Sequence, residues 1–373
     1  MAEPRRVADQ DQIPLPALGS NVAREDSWQP TPGTDLEDGR IMQETLFVGG
    51  DIRHLRAFMS ASTALVVDGA LRAVEARLAS AVEGDVLRVL DYGAGTGLAA
   101  IEFLKACHER GIERRLESRG ASLELHLVDL PNPWFAQGYE LLSACAWTRF
   151  HSLAAPNGGF RPLLEAVGGR RMDALMSANV FHLIPPRALA RAAADLASAV
   201  KPGGSLTWSS PDLAPAGPSA VLFHDPNRVL RRHWLEALSE RSAAPVGPAV
   251  AEAVAHVRET LDADALLQAQ RRADRHILPQ PTAATAIVDA LAPHFAGDLS
   301  RPTFEMPDRE TLAALLVPSN QREYLPEIDD RGLRERVIKE LMTQKVFPEL
   351  EAHGARTADG LDIQWSIGAI VRR

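Results

Sequence analysis

The chain has 373 residues, 46% of them apolar, and a formal net charge of −9 with a pI near 5.7. That length excludes a single small domain and suits a core with an added or inserted module, and the acidic balance speaks against general nucleic-acid binding, which relies on a basic patch or stripe. Only two cysteines are present, Cys107 and Cys145, too few for a disulfide framework or a Cys-rich zinc site.

Residues 1–44 are rich in Pro, Asp, Gln and Gly and show no periodicity, which predicts a flexible N-terminal arm. The first residues carry no apolar run of signal-peptide type, and no stretch of 18 apolar residues follows, so a cytoplasmic protein without a membrane partner is expected. Apolar residues then recur at three- and four-residue steps, predicting a helical segment over 45–83 that serves as a lid or a dimer contact, so a homodimer is one reading of the assembly. Residues 86–90 form a short apolar run of strand type, followed by a glycine-rich turn and a helix over 98–119. Alternation over 123–128 predicts a second strand ending in Asp129. A helix over 134–144, a strand at 147–151 and a strand at 172–177 follow. A helix over 186–200 leads through the turn signal Lys201, Pro202, Gly203 and Gly204 to a fifth strand at 205–209. Strands alternating with helices predict a doubly wound, mostly parallel α/β sheet over 84–212.

Beyond Pro211 the pattern changes. Over 213–300 helices are predicted and no strand. One starts at Asp225-Pro226, a good N-cap and first-turn pair, a second runs from the Pro/Gly break at 245–248 to about 275, and a third covers 283–291. This stretch reads as an inserted helical cap that binds the acceptor. Residues 301–373 are expected to complete the core sheet, with strands at 303–306 and 361–371 and a helix over 333–350.

The densest chemical signal is the run Asp91, Tyr92, Gly93, Ala94, Gly95, Thr96, Gly97 after the first strand. Glycines at a strand-to-helix turn permit positive φ and close approach of the backbone to a ligand, at the switch point where open α/β sheets bind. The spacing is G-x-G-x-G, not the dinucleotide G-x-G-x-x-G, whose third glycine position here holds Leu98. An acid two residues before the first glycine repels a pyrophosphate and suits a cationic ligand. On these residues, with Asp129 ending the second strand, the fourth-strand segment 172–185 and the turn 201–204, the chain resembles the class I S-adenosylmethionine (SAM)-dependent methyltransferases of small-molecule type. The resemblance implies a seven-stranded Rossmann-like sheet and SAM as cofactor, with S-adenosylhomocysteine as product. It implies cofactor contacts from Asp91, Tyr92, Gly93, Ala94, Gly95, Gly97, Asp129, Leu130, Ser152, Leu153 and Asn179. The interval from Gly97 to Asp129 is longer than the family's, and Ser152 stands where an acid is common.

His182, just after the fourth strand, is a candidate general base because imidazole titrates near neutrality, or it lines the cofactor pocket. His224 is the second candidate, and His233 and His276 are more often surface or packed residues. Trp134 and Phe135 either stack near an adenine or pack between helix and sheet. Arg228, Arg231 and Arg232, with Arg271, Arg272 and Arg275, either hold an anionic small-molecule acceptor or form solvated helix faces. No histidine pair has metal-ligand spacing with a third ligand, so no metal is expected. The expected reaction is methyl transfer to a small molecule, at oxygen ahead of nitrogen or carbon, in specialised (secondary) metabolism. A SAM-binding module without activity is the alternative.

Overall fold

The structure, a computed structural model, describes residues 26–34, 53–211, 225–239, 246–276, 282–300, 303–306, 324–352 and 361–373. The strands are β1 (Val86–Tyr92), β2 (Ser122–Asp129), β3 (Thr148–Ser152), β4 (Met172–Ala178), β5 (Val200–Pro211), β6 (Phe295–Ser300), β7 (Thr303–Met306) and β8 (Leu361–Arg372). They lie in the order β3-β2-β1-β4-β5-β8-β6, with β7 also on β8. The pairs from β3 through β5 are parallel, and β8 runs antiparallel to β5 and to β6 and β7. Because β6 and β7 follow one another along the same edge of β8, they act as one interrupted strand. The sheet is thus the expected seven-stranded, mostly parallel one.

The parallel strands are buried on both faces and so read as apolar runs. Over one face lie α1 (Arg53–Ala79) and α2 (Leu98–Glu109), with Val66, Ala70, Val74, Ile101 and Phe103 fully or nearly fully buried against Val89, Ala174 and Met176. The 45–83 segment is therefore, where described, a layer of the core and not a lid. Gly69 is where α1 meets β5: a Cβ there would lie 2.5 Å from the Thr207 hydroxyl oxygen. Cys107 and Cys145 are free, buried members of this core.

The predicted helix over 98–119 is two helices. Gly111 takes φ 63° and ends the first, and α3 (Ile112–Arg119) follows, accounting for the long interval before Asp129. The turn at Lys201–Gly204 is a bulge inside β5: Met172 pairs with Val200 and Ala174 with Ser205, with Gly203 at φ 72°. The helix over 333–350 is α11 (Arg331–Leu341), a π-turn (Met342–Val346) and α12 (Phe347–Ala352). Pro348 has no N–H for Gln344, and widening of the preceding turn accommodates the loss.

Three further expectations about segments change. Residues 26–34, placed in the flexible arm, are bound to the body. Ser27 and Trp28 N–H donate to the Phe150 carbonyl, Phe150 N–H donates to Asp26, and Trp28 stacks on Phe135 with ring centroids 4.4 Å apart. Secondly, α10 (Ala284–Leu291) and β6 belong to the sheet domain and not the cap. Ile287, Leu291 and Phe295 pack with Leu206 and Trp208 and with α6 (Pro186–Ala199). Thirdly, the cap draws on two stretches. Its core joins Leu230, Trp234, Val250 and Val257 of α7 (Asp225–Ser239) and α8 (Pro248–Thr260) to Leu333, Val337, Leu341 and Phe347 of the later helices. Both stretches leave the sheet at one edge. The first follows Pro211, which pairs with Trp365, and the second lies between Met306 and Leu361, which pair with each other. No helix among the described residues is long and apolar enough to cross a membrane.

Candidate functional site

β1 carries Asp91 at its C-terminal end, and the loop after it is stitched to β2: Gly93 and Ala94 N–H both donate to the Val128 carbonyl, at 2.9 and 3.2 Å. Gly93, Gly95 and Gly97 take φ 74°, 50° and 82°, the left-handed region that side chains disfavour. Each glycine answers to a different neighbour. A Cβ on Gly93 would lie 2.3 Å from a Val180 methyl, and one on Gly97 would lie 2.6 Å from a Leu142 methyl; one on Gly95 would meet nothing within 4 Å. The loop is thus tight where it packs and open at Gly95. Gly97 then opens α2, with Ile101 N–H donating to its carbonyl at 2.8 Å.

Asp91 is 1% exposed and its Oδ2 has no hydrogen-bond partner. Burial, then the charge of Asp129, push its pKa up to about 7, against a backbone hydrogen bond at Ala100. An unpaired carboxylate oxygen in such a place is costly, so the site is prepared for a cation or a donor. Asp129 sits opposite Ser152 in the sheet register. Its Oδ2 accepts from Gly95 N–H at 2.7 Å and its Oδ1 from Leu130 N–H at 2.6 Å, and burial raises its pKa to about 6. At the end of β4, Asn179 is the one non-glycine described residue with positive φ, at 62°. Its N–H donates to the Ser209 carbonyl at 2.9 Å, and its buried Oδ1 has no partner. A residue held in this region by its surroundings is a frequent mark of a site.

The other expected residues sort by geometry. Tyr92 offers backbone only: its carbonyl accepts from the Ser177 hydroxyl at 3.0 Å, while its ring stacks toward Phe181 on the far face. Leu153 N–H donates to the Asp129 carbonyl, Ser152 Oγ accepts from Ala154 N–H, and Leu130 is exposed, so all three border Asp129. His182 lies in a short 3-10 turn (Phe181–Leu183), half-buried, its carbonyl accepting from Thr282 N–H at 3.2 Å. His224 lies outside the described residues. Phe135 is fully buried among Trp28, Tyr139 and Phe150, a packing role.

The arginine cluster of α7 is engaged within the cap, so its described members do not hold an acceptor anion. Arg231 donates from both terminal nitrogens to Glu327, at 2.7 and 2.5 Å, and Arg232 pairs with Glu349. His233 is likewise held by Glu236 and Glu349. The side chains of Arg228, Arg272, Arg275 and His276 lie outside the described ones.

Sequence reasoning missed Gly138 of α4 (Pro133–Leu142). A Cβ there would lie 2.7 Å from the Gly95 carbonyl oxygen, so this glycine lets α4 press on the loop. A lone glycine inside a helical pattern was the available signal.

No family model and no curated protein matches the sequence. Among solved structures, the chain is similar to loganic acid methyltransferase with S-adenosylhomocysteine, with a TM-score of 0.52 and 10% identity over 93% of this chain and 99% of that one. The fold is the class I methyltransferase fold. A cyclopropane synthase from Mycobacterium tuberculosis aligns over 81% of this chain and 83% of its own, at 13% identity and a TM-score of 0.36. In this fold the glycine loop, Asp91, Asp129 and Asn179 lie at the C-terminal ends of β1, β2 and β4.

Proposed function

We propose that the chain is a SAM-dependent methyltransferase acting at oxygen on a small-molecule acceptor. One observation carries the reading: the glycine loop is open at Gly95, and the ends of β1 and β4 each carry a buried acceptor atom without a partner, Asp91 Oδ2 and Asn179 Oδ1. They suit the ammonium of the cofactor's amino-acid end, and Asp129, an acceptor on both oxygens, suits ribose hydroxyls. SAM supplies a sulfonium-bound methyl that is already electrophilic. The protein's part is to align the acceptor and exclude water. We assign that part to the cap, whose two stretches both leave the sheet at the same edge of β5 and β8. His182 is the base proposed for a phenol or alcohol acceptor; an ionised carboxylate needs none. The likeness in fold to loganic acid methyltransferase, named for an acid, supports acceptors of that class.

Methyl-labelled SAM and a panel of small carboxylic acids, phenols and amines test the proposal. Transfer of label in a form released by mild alkali identifies a methyl ester, and alkali-stable label on a phenol an ether. Label only on amines or carbon overturns oxygen methylation. Saturable cofactor binding without transfer to any acceptor class favours the module reading instead.

Asp91 sets a pH dependence. With its pKa raised to about 7, it is largely neutral at pH 6, and pairing with a cation requires loss of a proton. Affinity for SAM is expected to rise by up to about tenfold per pH unit from pH 5.5 toward 7 and then to flatten. Asp91→Asn flattens the profile at low affinity; an unchanged slope in that variant contradicts the assignment. Stability moves the other way. An acid whose folded pKa stands above its ordinary 3.8 contributes most below that value and loses the contribution as pH rises through about 7.

A further inference from the structure

The 3-10 turn that carries His182 has few hydrogen bonds of its own. Leu183 N–H donates to the Val180 carbonyl at 2.9 Å, and Ile184 N–H to the Phe181 carbonyl at 3.1 Å. The carbonyls of His182 and Ile184 fall outside these two bonds, and backbone acceptors at the end of so short a turn need donors from elsewhere. One residue supplies both. Thr282 N–H donates to the His182 carbonyl at 3.2 Å, and the Thr282 hydroxyl donates to the Ile184 carbonyl. Thr282 is fully buried, and neither motif nor spacing marks it in the sequence.

Both partners stand on fixed supports. The turn begins at Val180, whose methyls leave no room for a side chain on Gly93, so its first residue packs on the glycine loop. Phe181 is 1% exposed. Its ring stacks on Tyr92 with centroids 6.3 Å apart and meets Trp208 edge-on at 5.5 Å. The turn leads through Pro185, the N-cap, into α6. Thr282 stands two residues before α10, and Leu189 and Ala193 of α6 share one core with Ile287 and Leu291 of α10. The backbone of His182 is therefore tied to the glycine loop on one side and to Thr282 on the other.

A general base works only within hydrogen-bond reach of the proton it removes, and a displacement of about 1 Å at a reacting group can cost about 10²-fold in rate. His182 is half-buried and sits in a turn whose own bonds are few, so its place depends on ties from outside the turn. We infer that Thr282 is a positioning residue for His182: it fixes the backbone on which the base stands and acts through it. The inference rests on the proposed oxygen methylation with His182 as base, and adds to it a residue from a distant stretch of the chain.

Single-turnover transfer from methyl-labelled SAM to the phenols and alcohols of the acceptor panel tests it, with S-adenosylhomocysteine titration as the check that each variant folds. Thr282→Val keeps the side-chain shape and removes the hydroxyl. It is expected to slow transfer about tenfold while affinity for S-adenosylhomocysteine stays within about twofold, and Thr282→Ser restores the rate. In a His182→Gln background, itself slower by about 10²-fold or more, Thr282→Val should have no further effect. A loss of the same size in both backgrounds means that Thr282 serves the fold alone and overturns the inference. An unchanged rate in Thr282→Val overturns it too, as does S-adenosylhomocysteine weakened in step with the rate. Unchanged transfer in His182→Gln, or no transfer to any phenol or alcohol by the wild-type protein, removes the base itself. The inference then falls with that part of the proposed function, a result told apart from the others by the His182 variant alone.

Discussion

Gly93→Ala is expected to abolish binding of S-adenosylhomocysteine in a protein that still folds. Two effects add at this position. The backbone sits at φ 74°, where a Cβ costs about 1–2 kcal/mol, and that Cβ would lie 2.3 Å from one Val180 methyl and 2.8 Å from the other. Val180 follows Asn179, so relief of the clash pushes the β4 end and the loop apart, the two elements that carry the unpaired acceptors. Gly95→Ala is the matched control: its φ of 50° carries strain, but its Cβ meets no protein atom and would occupy the space assigned to the ligand. Both variants should lose binding, with a loss of thermal stability larger for Gly93→Ala. Gly93→Ala binding within threefold of wild type would show that the loop does not form the cradle.

The second large effect lies in the cap. Arg231 and Glu327 are buried, with side chains 2% and 0% exposed, and apart from Arg231 Nε the pair is held on several sides. Arg231 also donates to the Tyr324 carbonyl at 3.2 Å, and the Trp234 indole N–H donates to Glu327 at 3.2 Å. Breaking a buried pair leaves a charge without its partner, at about 3–5 kcal/mol, whereas replacing both members with apolar residues is often close to neutral. Arg231→Met should therefore strip hydrogen-exchange protection from α7, α8 and α11, whose apolar side chains share one core. Arg231→Met with Glu327→Leu should restore most of it. Loss below about 1 kcal/mol in the single variant would mean that water reaches the pair.

The parts of the fold legible in the sequence are those with local signals. β1, β2 and β4 are buried on both faces and read as apolar runs, and the turn at Gly93–Gly97 announces itself because positive φ requires glycine. β6 was invisible because Phe295–Ser300 contains Gly297 and Asp298 and reads as a loop. Gly297 is there because β8 passes too close for a side chain, its Ala369 carbonyl lying 2.5 Å from where a Cβ would stand. Periodicity showed that α1 is amphipathic but not what it covers, and the union of α7 and α8 with α11 depends on partners far along the chain. The same limit applies to the site. Asp91 and Asp129 stand out by spacing, whereas Gly138 acquires meaning only when packing places α4 against the loop. The partners of the α7 arginines were illegible because Glu327 and Glu349 lie about a hundred residues away in sequence.

The most direct measurement is calorimetric titration of the full chain with SAM and S-adenosylhomocysteine, with NAD as control and with Asp91→Ala and Asp129→Ala alongside. Saturable binding of both adenosyl ligands, no binding of NAD, and loss of binding in both variants is the predicted result. Binding of NAD in place of SAM, or SAM binding that survives both substitutions, would contradict the assignment of this site.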